Sequence, residues 1–242
     1  MKLNLFIVAA FSFLLSSCHG WFGGEHIHGD GNVRSENRSV TSFIGVDVSG
    51  GLDIYVKQDS TASVTIETDA NLQQYIIARV EDGVLRIYQE NNTSLDPTRG
   101  IKIHVSNPSF SSFEASGACD IHGENKISHT GEIHLQATGA SKMELDLNAP
   151  KVSGELTGAS DIKLSGTTKD LDINASGASN AKCYDLLTEN ANTDLSGASS
   201  ANIFASVKIT GEASGASDLK YKGNASTVTV NTSGAGSVKK EN

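Results

Sequence analysis

Aromatic residues are scarce in this sequence, at 6% of 242 residues, and beyond position 117 only Tyr184, Phe204 and Tyr221 remain. That scarcity excludes an aromatic-lined pocket and leaves few stacking platforms for sugar rings. Proline is held to 3 while glycine reaches 24, a profile of many short strands packed with small and β-branched residues, not of a helical bundle. Basic charge is also short: 19 Lys and Arg against 28 Asp and Glu give a net charge of −9. A sequence-independent grip on nucleic acid or on anionic headgroups is thereby excluded. All five arginines (Arg34, Arg38, Arg79, Arg86, Arg99) lie in the first hundred residues. The only long apolar run, Leu3 to Leu15, is too short to stay in a bilayer as a spanning helix.

That run follows Lys2 and leads into small residues, which is the pattern of a secretory signal peptide. Its end, Leu15-Ser16-Ser17-Cys18, resembles the lipobox of bacterial lipoproteins. The resemblance implies removal of residues 1–17 and lipidation of Cys18, hence a membrane partner reached through acyl chains, each buried methylene contributing about 0.8 kcal/mol. An ordinary signal peptide with a chance cysteine is the alternative. Residues 18–39 include "HGWFGGEHIHGDGN", Gly- and His-rich without periodicity, and read as a flexible tether. His26 and His28 have the spacing to share a metal on an extended segment, but with no third ligand nearby they read as solvated linker.

From residue 114 onward one motif recurs: "SGACD" at 116–120, "TGASK" at 138–142, "TGASD" at 157–161, "SGASN" at 176–180, "SGASS" at 196–200, "SGASD" at 214–218 and "SGAGS" at 233–237. The motif glycines are spaced by 22, 19, 19, 20, 18 and 19 residues. Between them apolar residues alternate with Lys, Asp, Glu, Asn, Ser and Thr, and a period of two means strands. Strands of this length separated by Gly-rich corners predict an all-β fold, a parallel β-helix or β-solenoid of about 19 residues per coil. Ile121, Met143, Ile162, Leu164, Leu171, Leu219 and Val228 are expected inside. The motif itself reads as a corner: Gly turns without a β-carbon penalty and Ser bonds to nearby backbone. Weaker corners are expected at Gly123, Gly154, Gly166, Gly211 and Gly223. Residues 40–242 are expected to form a single domain, in which 40–113 is an irregular first part that caps the regular repeats of 114–238. An Asp82-Gly83 hairpin turn and a helical turn at "NLQQY" belong to that first part.

The repeats carry little chemistry. A phosphate cradle needs a helix after the Gly-rich loop, and nothing downstream of any repeat reads helical. Calcium-binding solenoids need an Asp in every nine residues, whereas here the Asp three after Gly (Asp120, Asp161, Asp218) is Lys142, Asn180, Ser200 or Ser237 elsewhere. Cys119 and Cys183 fall in the inward register about three coils apart, roughly 15 Å at the strand spacing, too far for a disulfide. His104, His122, His129 and His134 have no ligand spacing, with His122 and His134 on outward positions. Polysaccharide lyases on this fold use clustered acids and an Arg or Lys base, and the repeats hold no arginine. No catalytic residue, cofactor or metal is therefore expected.

The lipobox, then "FIGVDVSGGLDIYV", then "VEDGVLRIY", then serial S/T-G-A-S-x repeats together resemble the auto-transporter adhesin, head GIN domain family over roughly residues 40–235. The resemblance implies a right-handed, pectin-lyase-like β-helix without lyase residues, and an adhesive role. Three readings follow: an envelope-anchored adhesin or interaction scaffold, a polysaccharide-processing enzyme, and a purely structural envelope lipoprotein. The first implies a cell-envelope location, anchored in the outer membrane of a Gram-negative bacterium. It also implies a glycan, mucin or surface-protein ligand, met by outward residues such as Lys142, Asp161, Asn180 and Asp218.

Overall fold

The computed structural model describes residues 25–241. The first part holds β1 (Glu25–His28), β2 (Val33–Arg38), β3 (Gly45–Ser49), β4 (Asp53–Gln58) and β5 (Ser63–Asp69). After a 3-10 turn at Gln73–Tyr75 come β6 (Ile76–Glu81), β7 (Val84–Gln89), β8 (Thr93–Asp96) and β9 (Lys102–Asn107). The repeats begin with β10 (Ser112–Gly117), β11 (Asp120–Ser128), β12 (Glu132–Gly139), β13 (Lys142–Gly158), β14 (Asp161–Ala175) and β15 (Asn180–Leu195). They end with β16 (Ser200–Phe204), β17 (Lys208–Ala213), β18 (Asp218–Lys222), β19 (Thr227–Thr232) and β20 (Ser237–Lys240).

Alternation in the sequence becomes alternation in space. Along β14, Ile162, Leu164, Leu171 and Ile173 are buried while Lys163 and Asn174 are exposed. Every pairing between successive repeats is parallel and sets like against like, so that Ile162 lies beside Met143 on one side and Ala181 on the other. The result is a β-solenoid with two long faces. A front face follows each motif (β4, β11, the first halves of β13 to β15, β16, β18, β20), and a back face precedes it (β3, β10, β12, the second halves of β13 to β15, β17, β19). One continuous core fills the space between them, and each fully buried aliphatic side chain contributes about 1.5–3 kcal/mol.

The motif is a corner, as its composition predicts, and the structure shows how it is held. The Ala178 amide donates to the Gly158 carbonyl at 2.7 Å, and the same bond recurs in register at Ala140, Ala159, Ala198, Ala216 and Ala235. In five of the seven motifs the residue two after the glycine is a serine that turns inward and is buried, and its hydroxyl donates to the carbonyl three residues earlier, as Ser179 does to Ser176 at 2.8 Å. This column of Ser141, Ser160, Ser179, Ser199 and Ser217 is polar and yet satisfied. Cys119 takes the same place one coil earlier, with its Sγ 3.2 Å from the Ser116 carbonyl. The irregular spacings also find their places. The 20-residue repeat puts its additional residue in a bulge where Cys183 and Tyr184 oppose Leu164 alone. In the 22-residue repeat, Gly123 to Asn125 oppose Leu145 alone.

Below the repeats, Ser49-Gly50-Gly51-Leu52 forms a further corner in the same stack, since β3 pairs with β10 and β4 with β11. The chain between β4 and β10 is an insertion that folds back beneath this coil. Strands β7 and β9 continue its two faces, and antiparallel β2, β5 and β6 close the end. Asp82 and Gly83, both at positive φ, make the expected hairpin turn between β6 and β7. Arginines hold the outside of this cap: Arg38 donates to the Gln73 backbone and side chain, and Arg86 lies within ion-pair distance of Asp47 and Glu81.

Three expectations are corrected. Much of the supposed tether is structured, because β1 pairs with β8 and β2 with β5, so order begins by residue 25. Those strands have no apolar alternation of their own; backbone pairing holds them, together with buried Asp69, which accepts from Gly31 N, Thr98 N and Thr98 Oγ1. Gly154 and Gly211 are not corners but lie within the back face, beside Ile173 and Thr193 respectively. Val228 stands in the inward row but is 39% exposed, because β19 belongs to the last described coil and no described strand stacks on it. The other six residues expected inside are buried. Residues 1–17 and Cys18 lie outside the described residues.

Candidate interaction surface

The parallel register converts each outward position into a straight column with one side chain per coil, about 4.8 Å apart. Lys142, Asp161, Asn180 and Asp218, chosen from the sequence, stand in one such column on the front face. It runs Asp53, Asp120, Lys142, Asp161, Asn180, Ser200, Asp218, Ser237. Neighbours along it are bonded: Ser200 Oγ donates to Asn180 Oδ1 at 2.7 Å, and Ser237 Oγ bonds to Asp218. Lys182 Nζ reaches Asp161 Oδ1 at 3.3 Å from the adjoining column.

That adjoining column begins with rings. Tyr55 is stacked between His104 and His122, with centroids 5.1 and 5.3 Å away. It continues through Glu144, Lys163, Lys182, Asn202, Lys220 and Lys239. The Lys163 ammonium donates to Glu144 Oε1 at 2.6 Å; this bond holds the Glu144 carboxyl below the usual range and pushes Lys163 up. Because the three rings face one another, they offer edges and ring nitrogens to solvent. No sequence motif marks this stack, since His104 comes from the insertion and Tyr55 from the coil above it.

The back face presents a different column: Gln136, Glu155, Asn174, Asp194, Glu212, Asn231. Beside it stand the hydroxyls of Thr157, Ser176, Ser196 and Ser214, which with Glu155, Asn174, Asp194 and Glu212 line an open groove of about 430 Å³. Sequence reasoning missed this groove because its acids and amides follow no motif. The signal was the first letter of the motif, always Ser or Thr, which builds the hydroxyl rail. Two aromatics of the repeats, Tyr184 and Phe204, stand near Lys222 on the front face, while Tyr221 packs inward beside Ile203. Tyr184 donates to Glu241 at 2.8 Å, Lys222 Nζ lies 4.9 Å from the Tyr184 ring centroid, and Phe204 pairs with Lys222.

Cys119 and Cys183 are free and buried. Desolvation pushes the Cys183 thiol up to about 12 and raises Cys119 as well, so both stay protonated at neutral pH and act as small hydrophobes. His134 shares a hydrogen bond of 2.9 Å with Ser153 along the back face. No group of three His, Cys, Asp or Glu side chains converges as a metal site among the described residues.

A family model described as "Putative auto-transporter adhesin, head GIN domain" matches residues 42–225. No curated protein matches the chain. Among solved structures, a putative adhesin from Bacteroides fragilis is 20% identical, with a TM-score of 0.84, and the match covers 89% of this chain and all of that one. A putative lipid binding protein from Parabacteroides distasonis is 18% identical, with a TM-score of 0.70 over 90% of this chain and 100% of its own. A putative adhesin from the same organism, also 18% identical with the same coverages, has a TM-score of 0.73. At these identities the likeness is one of fold.

Proposed function

The chain belongs to the family described as putative auto-transporter adhesin, head GIN domain, and from that premise we propose that it is a non-enzymatic adhesin of the cell envelope that binds a repetitive partner along its side. Lipidation at Cys18 anchors it to the membrane, in the outer membrane of a Gram-negative cell. The partner class is a glycan, a mucin or a repetitive surface protein.

The observation that carries this reading is the columns. Each offers one outward polar side chain per coil, and the back-face column offers only acids and amides, so a partner with its own repeat meets several comparable contacts at once. Single exposed polar contacts are weak, each ion pair contributing up to about 1 kcal/mol. Linked contacts multiply, and avidity gains of about 10²–10⁴ need no new chemistry. The two faces differ in character: the front face holds Lys163, Lys182, Lys220 and Lys239 in one column, while the back face holds Glu155, Asp194 and Glu212.

The test is binding of the full chain in detergent to a repetitive polymer and to its monomeric unit. Much tighter binding to the polymer is expected, and equal affinity for both refutes the avidity mechanism. Depolymerisation of the polymer by the purified chain would replace this reading with a polysaccharide-processing enzyme.

A further inference from the structure

The solenoid has two unlike ends. The first is closed by the antiparallel strands β2, β5 and β6. The last coil, formed by β19 and β20, pairs only with β17 and β18 beneath it among the described residues. Its outer edges therefore carry unpaired amides and carbonyls, the natural template for another strand. The two edges are defended differently. Strand β20 carries Lys239 and Lys240, charges of the kind that keep edges from pairing. Strand β19 reads Thr227-Val228-Thr229-Val230-Asn231-Thr232, without charge, Pro or Gly, and residues 223–238 hold no charged side chain at all. Its inward residue Val228 is 39% exposed, and Val207, whose carbonyl accepts the Ser226 and Thr227 amides, is 46% exposed at the same corner.

We propose that the β19 edge is a docking site for a second copy of this chain, whose own β19 pairs with it antiparallel about a two-fold axis at Thr229. The occupant follows from the strand itself. Directly opposed residues in an antiparallel pair share a face, and centring on Thr229 sets Val228 against the partner's Val230 and Val230 against the partner's Val228. Both inward valines of each copy are covered by one operation. The same register sets Thr227 against Asn231, polar against polar, on the outward side. A closed two-fold contact covers the β19 edge of both copies and leaves the lysine-bearing β20 edges unpaired, whereas head-to-tail stacking is blocked by the cap on the other end. The dimer is independent of lateral binding. Only one consequence rests on the adhesin reading: chains anchored at their N-termini and joined at their far tips link two membranes.

Sedimentation of the purified full chain in detergent tests the proposal. A concentration-dependent dimer is expected, and Val228→Lys should return it to monomer while far-UV circular dichroism stays unchanged. Thr229→Cys places the two sulfurs across the axis and should give a reducible dimer on non-reducing gels, absent from the parent chain, which has the same Cys18. A chain that stays monomeric at every concentration overturns the proposal. So does a dimer that survives Val228→Lys and forms no Thr229→Cys link. Polymer binding by a Val228→Lys monomer would separate this outcome from the lateral-binding reading.

Discussion

Replacing Gly177 by alanine adds one methyl group at the tightest of the motif corners. Gly177 has φ of 81°, where an L-residue loses about 1–2 kcal/mol. Its Cβ would also lie 2.5 Å from the Gly158 oxygen and 3.1 Å from the Gly158 nitrogen, both backbone atoms. Neither can swing aside as a flexible side chain would, so the corner must lift from the coil beneath. Lifting stretches the 2.7 Å bond from Ala178 to Gly158, and losing such a bond costs about 0.5–1.5 kcal/mol. The sum is about 1.5–3.5 kcal/mol. Gly83 supplies the control: its φ is 78°, but a Cβ there meets nothing within 4 Å. Gly83→Ala should therefore cost the strain alone, about 1–2 kcal/mol. Any gain from a stiffer unfolded chain is common to both variants and cancels in the difference. Urea unfolding followed by circular dichroism reads that difference, and hydrogen exchange locates it, since a solenoid can open by coils. Gly177→Ala should be the more damaging by about 1 kcal/mol, with exchange fastest in the coils around residues 158–180. Equal losses in the two variants would refute the stacking argument.

Other outcomes follow from the same geometry. Ser179→Ala removes the hydroxyl bond to Ser176 and should lower stability by about 0.5–1.5 kcal/mol, while Ser179→Cys, which copies Cys119, should cost less in the same thermal melt. Burial pushes the Asp69 carboxyl up, but the bonds from Thr98 and Gly31 outweigh it and leave the group below its ordinary 3.8. In acid the unfolded state binds that proton first, so the stability Asp69 confers is present above pH about 4 and is lost as pH falls through the lowered value. Amide exchange of β1 and β2 should accelerate there, and Asp69→Asn should flatten the response. With its thiol pushed up to about 12, native Cys183 should resist iodoacetamide at pH 8 and react once the chain is unfolded; fast native labelling would contradict its burial. Cys18→Ala should abolish metabolic fatty-acid labelling and release the chain from membranes.

The repeats were legible because each apolar position is used many times over. Ile162 is one line of evidence, but Ile121, Met143 and Ala181 in the same column are three more. Legibility ended where repetition does. Val228 obeys the pattern and is still exposed, since the pattern encodes which way a side chain points and not whether a coil follows. Gly154 and Gly177 look alike in a string; only the neighbours across the coil show that one fills the back face and the other turns the chain. The corner at Gly50 was hidden by 67 residues separating it from Gly117. Strands β1 and β2 look like tether in the sequence because their order depends on partners far away in it, Asp96 and Asp69 among them. The columns of the front face were foreseen in part, through Lys142 and its row. The ring stack at Tyr55 and the groove at Glu155 were not, because each is assembled from different coils by register alone.

Stacking coils along one axis also determines how the molecule responds to force. The strands run across the axis, so the hydrogen bonds between coils lie along it. A pull between the capped end and the last coil therefore loads these bonds end-on and a few at a time, beginning at a corner, instead of shearing a whole strand at once. Such a rod yields by peeling. Each released coil of about 19 residues pays out roughly 65 Å of extended chain and leaves the coil beneath it as the new end, still paired and still packed. A cell held through such a rod would feel a series of soft steps in tension, with contact kept while the link lengthens, in place of a single rupture.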